Sequence, residues 1–85
     1  MYYVYILQSE IDKSYYIGQT KDLQDRLNRH NQGRSKSTKL KRPWKVVYVA
    51  EYFSRSEAVQ MEMLIKSKHS KNYIEQLVKS IEVNK

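Results

Sequence analysis

The chain opens Met1-Tyr2-Tyr3-Val4-Tyr5-Ile6-Leu7-Gln8, pauses at Ser9-Glu10-Ile11-Asp12-Lys13, and resumes with Tyr15-Tyr16-Ile17-Gly18. Tyr, Val, Ile and Leu dominate both runs. Aromatic and β-branched side chains fit a pleated, half-buried surface, so each run reads as a strand. The gap between them leaves room for a turn but not for a crossover helix, which predicts an antiparallel hairpin. With its centre between Glu10 and Ile11, the hairpin sets Tyr5 directly opposite Tyr16, both side chains on one face.

Working outward, Thr20 is placed to cap a helix from Lys21 to Gln32, with Asp22 and Asp25 near its positive end and Gly33 as its stop. Leu23 and Leu27 give this helix a thin apolar face. Arg26 and His30, four residues apart, share another. Arg34 to Pro43 has no periodicity and reads as a loop. Trp44 to Phe53 reads as a third strand centred on Val46-Val47-Tyr48-Val49. Ser54-Arg55-Ser56-Glu57 is a capping box that opens a helix with Ala58, Met61 and Ile65 on one side and the Glu62, Lys66 pair beside them. Ser70 caps a last helix with Ile74, Leu77, Val78 and Ile81 in its stripe. The order ββαβαα predicts an α+β fold, a three-stranded antiparallel sheet flanked by helices.

Eighty-five residues allow one domain, 1–85, with a radius of gyration of about 12 Å. The absence of cysteine excludes a disulfide framework and a thiolate zinc site, and His30 and His69 do not make a metal cluster without further ligands. Two glycines leave no room for a glycine-rich phosphate loop. No apolar run approaches the roughly 18 residues that span a bilayer, and the first residues do not read as a secretory leader, so a cytoplasmic protein is expected.

The charge is unevenly spread. The net charge is +7, yet no acidic residue occurs from Arg26 to Ala50, a window holding Arg26, Arg29, Arg34, Lys36, Lys39, Lys41, Arg42 and Lys45. The rest of the chain carries 8 cations against 9 acids. Such a footprint suits a polyanion, because neutralising phosphates releases condensed counterions. A membrane-surface helix needs a wide apolar face, and Arg34 to Arg42 offers only Leu40, so no membrane partner is expected.

Few catalytic constellations fit this composition, and the polar residues left to converge are Tyr5, Tyr16, Arg26, His30 and Glu62. Tyr3-Val4-Tyr5 followed by Tyr16-Ile17-Gly18 resembles the paired motif that names the GIY-YIG nuclease superfamily. The second half matches letter for letter; the first has Tyr3 where the family usually has glycine. The resemblance continues through Asp22-Leu23, Arg26, His30-Asn31, Arg42-Pro43, Val47-Tyr48, Ser56-Glu57-Ala58, and Glu62 with Ile65-Lys66. It covers nearly the whole chain and looks most like the small single-domain members near the structure-specific, Slx1-like branch.

That resemblance implies hydrolysis of DNA phosphodiester bonds with a single divalent cation, Mg²⁺ or Mn²⁺, held by Glu62. A hard cation takes a carboxylate oxygen, keeps waters and accepts phosphate oxygens as further ligands. Arg26 would offer its guanidinium fork to the scissile phosphate. Tyr5 or Tyr16 would help activate the attacking water, and His30 would orient a tyrosine or contact phosphate. Arg29, Arg34, Lys36, Lys39, Lys41 and Arg42 are the expected DNA contacts, with Gln19, Lys21, Thr38 and Lys66 as further candidates to line the site. The family's asparagine beyond the glutamate, set near a proline, has no clear counterpart; Asn72 lies in that region without an assigned role. No separate specificity domain is read, so substrate choice would follow DNA shape (branched or damaged DNA) or a protein partner. The alternative reading is a nucleic-acid-binding module with the same fold and no catalysis.

Overall fold

A computed structural model describes residues 1–68 and 70–83; His69 and the last two residues lie outside it, as do the side chains of residues 81–83. The elements follow the expected order: β1 (Tyr2–Ser9), β2 (Tyr15–Thr20), α1 (Leu23–Asn31), a single 3₁₀ turn (Lys39–Lys41), β3 (Trp44–Tyr52), α2 (Arg55–Ser67) and α3 (Lys71–Val83). The strands form an antiparallel sheet in the order β2-β1-β3. The fold is α+β, and the radius of gyration is 12.4 Å.

The hairpin register differs from the sequence-based expectation. Tyr5 pairs with Gly18, and Tyr16 pairs with Leu7. The connecting loop is wider than a tight turn: Ser9 Oγ accepts from the Ile11 and Asp12 amides, and Asp12 Oδ1 accepts from Ser14 N and Oγ. Lys13 lies in the left-handed region at φ 64°. This polar loop moves the centre of the hairpin to between Ile11 and Asp12. Tyr5 and Tyr16 keep the same face but become diagonal neighbours, with ring centroids 6.3 Å apart.

Gly18 has a steric reason to be where it is. A Cβ there would meet Tyr5 Oη at 2.6 Å and Cζ at 2.7 Å. The Tyr5 ring therefore lies across β2, toward the open edge of the sheet.

α1 starts later than expected. Its cap is Asp22, whose side chain accepts from the Asp25 amide at 3.0 Å, and Asp caps a helix as well as Thr does. Thr20 instead closes β2, its Oγ1 accepting from Asp22 N. Gly33, at φ 76°, follows the helix. Ser54 caps α2 and Ser70 caps the start of α3, as expected.

Two clusters cover the two faces of the sheet. Val4, Ala58 and Ile65 form one, joined by Ile17, Met61, Ile74 and Leu77 from β2, α2 and α3. Tyr5, Leu7 and Trp44 form the other, joined by Tyr16, Leu23, Leu27 and Val46. A β-bulge sets the second cluster. Ile6 pairs with Tyr48 but Leu7 pairs with Val46, so Val47 is passed over and the inward face of β3 changes phase. Strict alternation would put Trp44 on the face of Tyr48; the bulge turns it toward Tyr5.

Candidate active site

The Tyr5 face of the sheet carries a run of buried polar groups. Tyr5 is 1% exposed, His30 2% and Thr38 1%. His30 comes from the last turn of α1, one turn beyond Arg26, so α1 delivers both to the same side of β1 and β2. Its Nε2 lies 3.4 Å from Tyr5 Oη, and its Nδ1 lies 2.8 Å from Thr38 Oγ1. The first approach is long and the second is of ordinary hydrogen-bond length. Tyr16 stacks obliquely near His30, with centroids 4.7 Å apart, and meets Trp44 edge-on at 6.4 Å.

Arg26 reaches the same place. Its Nε is buried and, among the described residues, has no hydrogen-bond partner. The guanidinium is near enough to Tyr5 to offset part of a burial effect: burial and Tyr16 push the Tyr5 phenol up to about 12, while Arg26 pulls it back. Glu62 is also felt at Tyr5, adding to the upward push. Burial first, then the positive charges of Arg26 and Arg29, hold His30 below its ordinary value, so the imidazole is neutral at pH 7. Tyr5, Tyr16, His30 and Arg26 thus lie together on this face of the sheet, whereas Glu62 comes from α2 and is felt at Tyr5 only through its charge.

Tyr16, Arg26, Arg29, His30, Arg34 and Ser35 line a depression of about 160 Å³ that contains no carboxylate. A second, polar cleft of about 450 Å³ opens on the other side of Arg26, lined in part by Gln19, Lys21 and Arg55. Arg55 is a residue that sequence reasoning missed, because it falls just past the acid-free window and reads only as part of the capping box that opens α2. Asp22 and Asp25 line this second cleft as well, so its potential is mixed.

Glu62 projects from α2 and holds Lys66 in an i,i+4 ion pair at 2.9 Å. Among the described residues no group of three or more His, Asp or Glu side chains is gathered to hold a metal ion. One accessible carboxylate still fits a cation that keeps most of its waters and takes phosphate oxygens from the substrate. Lys66 would release Glu62 for that role.

The basic segment is more ordered than its composition foretells. Ser9 Oγ donates to the Lys41 carbonyl at 2.6 Å, and Trp44 Nε1 donates to the Thr38 carbonyl at 2.9 Å. The Asn31 amide bridges both backbone groups of Trp44, accepting from its N–H at 2.7 Å and donating to its carbonyl at 3.1 Å. Ser9, Asn31 and Trp44 were not among the expected site residues; Asn31 reads only as part of the resemblance, and Trp44 only as the start of the third strand. Lys36 and Lys39 are exposed. Arg34 bonds the Gln32 side chain, Lys41 pairs with Asp12 at 3.4 Å, and the Arg42 guanidinium lies against Gly33. Asn72 is exposed in the first turn of α3.

Two tyrosines, a histidine and an arginine thus lie together on the Tyr5 face beside a cationic loop. Residues 1–75 match the family model described as the GIY-YIG catalytic domain, and the chain belongs to that family. Several of its relatives carry the UPF0213 description. A UPF0213 protein of Streptococcus pneumoniae serotype 4 is 42% identical over 67 residues, spanning 78% of this chain and 67% of the relative. One from Oceanobacillus iheyensis is 42% identical over 66 residues, 76% of each chain. The solution NMR structure of a UPF0213 protein from Bacillus halodurans superposes with a TM-score of 0.55 at 36% identity, over 93% of this chain and 84% of that one.

Proposed function

We propose that this protein is a divalent-metal-dependent endonuclease that hydrolyses DNA phosphodiester bonds, selecting substrates by structure or with weak sequence preference. The observation that carries the reading is the convergence of Arg26, Tyr5 and His30, with the charge of Glu62 acting on Tyr5. A scissile phosphate seated in the depression that Arg26 lines meets its guanidinium fork. Arg29 and Arg34 extend the cationic wall toward the next phosphate.

Tyr5 with His30 is the better-placed base of the two tyrosines. Neutral His30 can take the phenol proton at Nε2 as Tyr5 takes one from the attacking water. The water oxygen forms the new P–O bond, the bond to the leaving sugar oxygen breaks, and that oxygen takes up a proton from solvent. Glu62 would hold Mg²⁺ or Mn²⁺, which when bound would neutralise charge at the phosphate and acidify a water. For a phenol held up to about 12, the positive charge of Arg26 and the hand-off to His30 favour action as a base. Tyr16 walls the phosphate depression and stacks on His30.

Substrate choice follows from what holds the DNA. Exposed Lys36 and Lys39, together with Arg29 and Arg34, contact backbone and carry no base code, so branched or damaged DNA is distinguished by shape. The deciding experiment incubates purified protein with branched, flapped and linear DNA, with and without Mg²⁺ or Mn²⁺. Metal-dependent cleavage by the wild type, lost in Glu62→Gln and Arg26→Ala, is the expected result. Cleavage that persists in both variants points to a contaminant. Salt-sensitive binding with no scission under any metal leaves the non-catalytic module.

A further inference from the structure

Thr38 is buried to 1% exposure in a segment otherwise made largely of exposed polar and charged residues. Its carbonyl accepts from Trp44 Nε1, which anchors it to the start of β3. Its hydroxyl touches His30 Nδ1 at 2.8 Å, while Tyr5 Oη faces the other ring nitrogen at 3.4 Å. The imidazole is thus clamped between two hydroxyls, and among the described residues no carboxylate hydrogen-bonds to it.

A neutral imidazole carries one N–H and one lone pair, and the two hydroxyls compete for them. Even held up to about 12, the Tyr5 phenol is a stronger acid than an aliphatic hydroxyl, which does not titrate in water's usual range. The stronger acid is the better donor and the poorer acceptor. The ring lone pair therefore faces Tyr5 and the N–H faces Thr38.

We propose that Thr38 is a positioning residue for the Tyr5–His30 pair: by accepting from Nδ1–H it holds His30 in the tautomer whose Nε2 can take the Tyr5 phenol proton. Its place gives the arrangement a second property. Thr38 sits between Lys36 and Lys39, so a phosphate backbone docking on the loop bears on the residue that orients the imidazole. The kinetic part of this proposal rests on the nuclease reading; the tautomer is a property of the free protein.

The test uses the full chain with ¹⁵N-labelled histidine, free of DNA and metal, with His69→Gln leaving His30 as the single histidine. Long-range ¹H–¹⁵N spectra of the wild-type site should show Nδ1 protonated and Nε2 as an acceptor. Thr38→Val, which keeps the volume and removes the hydroxyl, should erode that preference, and Thr38→Ser should restore it. In single-turnover cleavage Thr38→Val should slow the chemical step about tenfold or more, with DNA affinity unchanged and Thr38→Ser recovering the rate. A wild-type ring protonated at Nε2 overturns the proposal, and that result needs no variant to fold. Thr38→Val with an unchanged tautomer, or with the wild-type cleavage rate, overturns it equally. If the tautomer behaves as expected while the wild-type chain cleaves no DNA, the nuclease reading fails and the tautomer assignment stands.

Discussion

Val4 and Tyr5 are neighbours in β1, yet they belong to different kinds of interior. Val4 faces α2 and α3 and packs with Ala58 and Ile65 in a cluster of hydrocarbon. Tyr5 faces α1 and shares its burial with His30 and Thr38, groups that are costly to desolvate unless hydrogen-bonded. The first face earns stability from contact area. The second holds polar side chains in place, and its stability depends on each partner staying satisfied. The division predicts that substitutions on one face change stability, and on the other change chemistry, with few doing both.

The largest effect expected is on the chemical face. Arg26→Ala and Glu62→Gln should each lower the cleavage rate by about 10²-fold or more, with a denaturation midpoint close to wild type. A large loss of stability in either variant would break the division. On the aliphatic face, Ile65→Ala should cost about 2–5 kcal/mol in denaturant unfolding, because it leaves a cavity beside Val4 and Ala58. The fraction that remains folded should still cleave.

Tyr5→Phe separates the two properties by pH. The Tyr5 phenol is held above its unfolded value, up to about 12, so the unfolded chain ionises first as pH rises. Its contribution to stability is complete below pH 10 and is lost between about 10 and 12. Equilibrium unfolding against pH should show this alkaline decline in the wild type and a shallower one in Tyr5→Phe. His30 has the opposite sign. Its folded pKa lies below the ordinary 6.5, so its contribution is present above that pH and lost as pH falls.

Gly18→Ala is the sharpest exception that can be designed, since it sits on the chemical face and has a packing role. Its Cβ would displace the Tyr5 ring, and a loss of about 1–3 kcal/mol together with reduced cleavage is expected. The smallest effect belongs to the loop. Lys36 and Lys39 make no ion pair among the described residues, so removing either should reduce the salt slope of DNA binding by about one unit. Lys41, exposed and paired with exposed Asp12, should change it less.

Much of this was legible early because the signals were local. Alternating apolar strands, Ser caps and i,i+4 pairs are properties of short windows, and the resemblance named four residues that lie together on the Tyr5 face, with Glu62 apart on α2. The misreadings were local too. Thr20 and Asp22 are both good caps, and the choice between them depended on how much chain the β2-to-α1 connection needs. The hairpin centre moved because Ser9, Asp12 and Ser14 build a polar loop in which Lys13 adopts a left-handed conformation.

The sequence by itself determined the element order, the segregation of positive charge and the residue types of the candidate site, because each is written in composition or short-range periodicity. The tertiary structure alone decided that Tyr5 lies over Gly18, that a bulge turns Trp44 to the tyrosine face, and that Thr38 clamps His30. Those facts depend on register and on hydrogen bonds between residues far apart in the chain, where a shift of one residue reverses which face a side chain occupies.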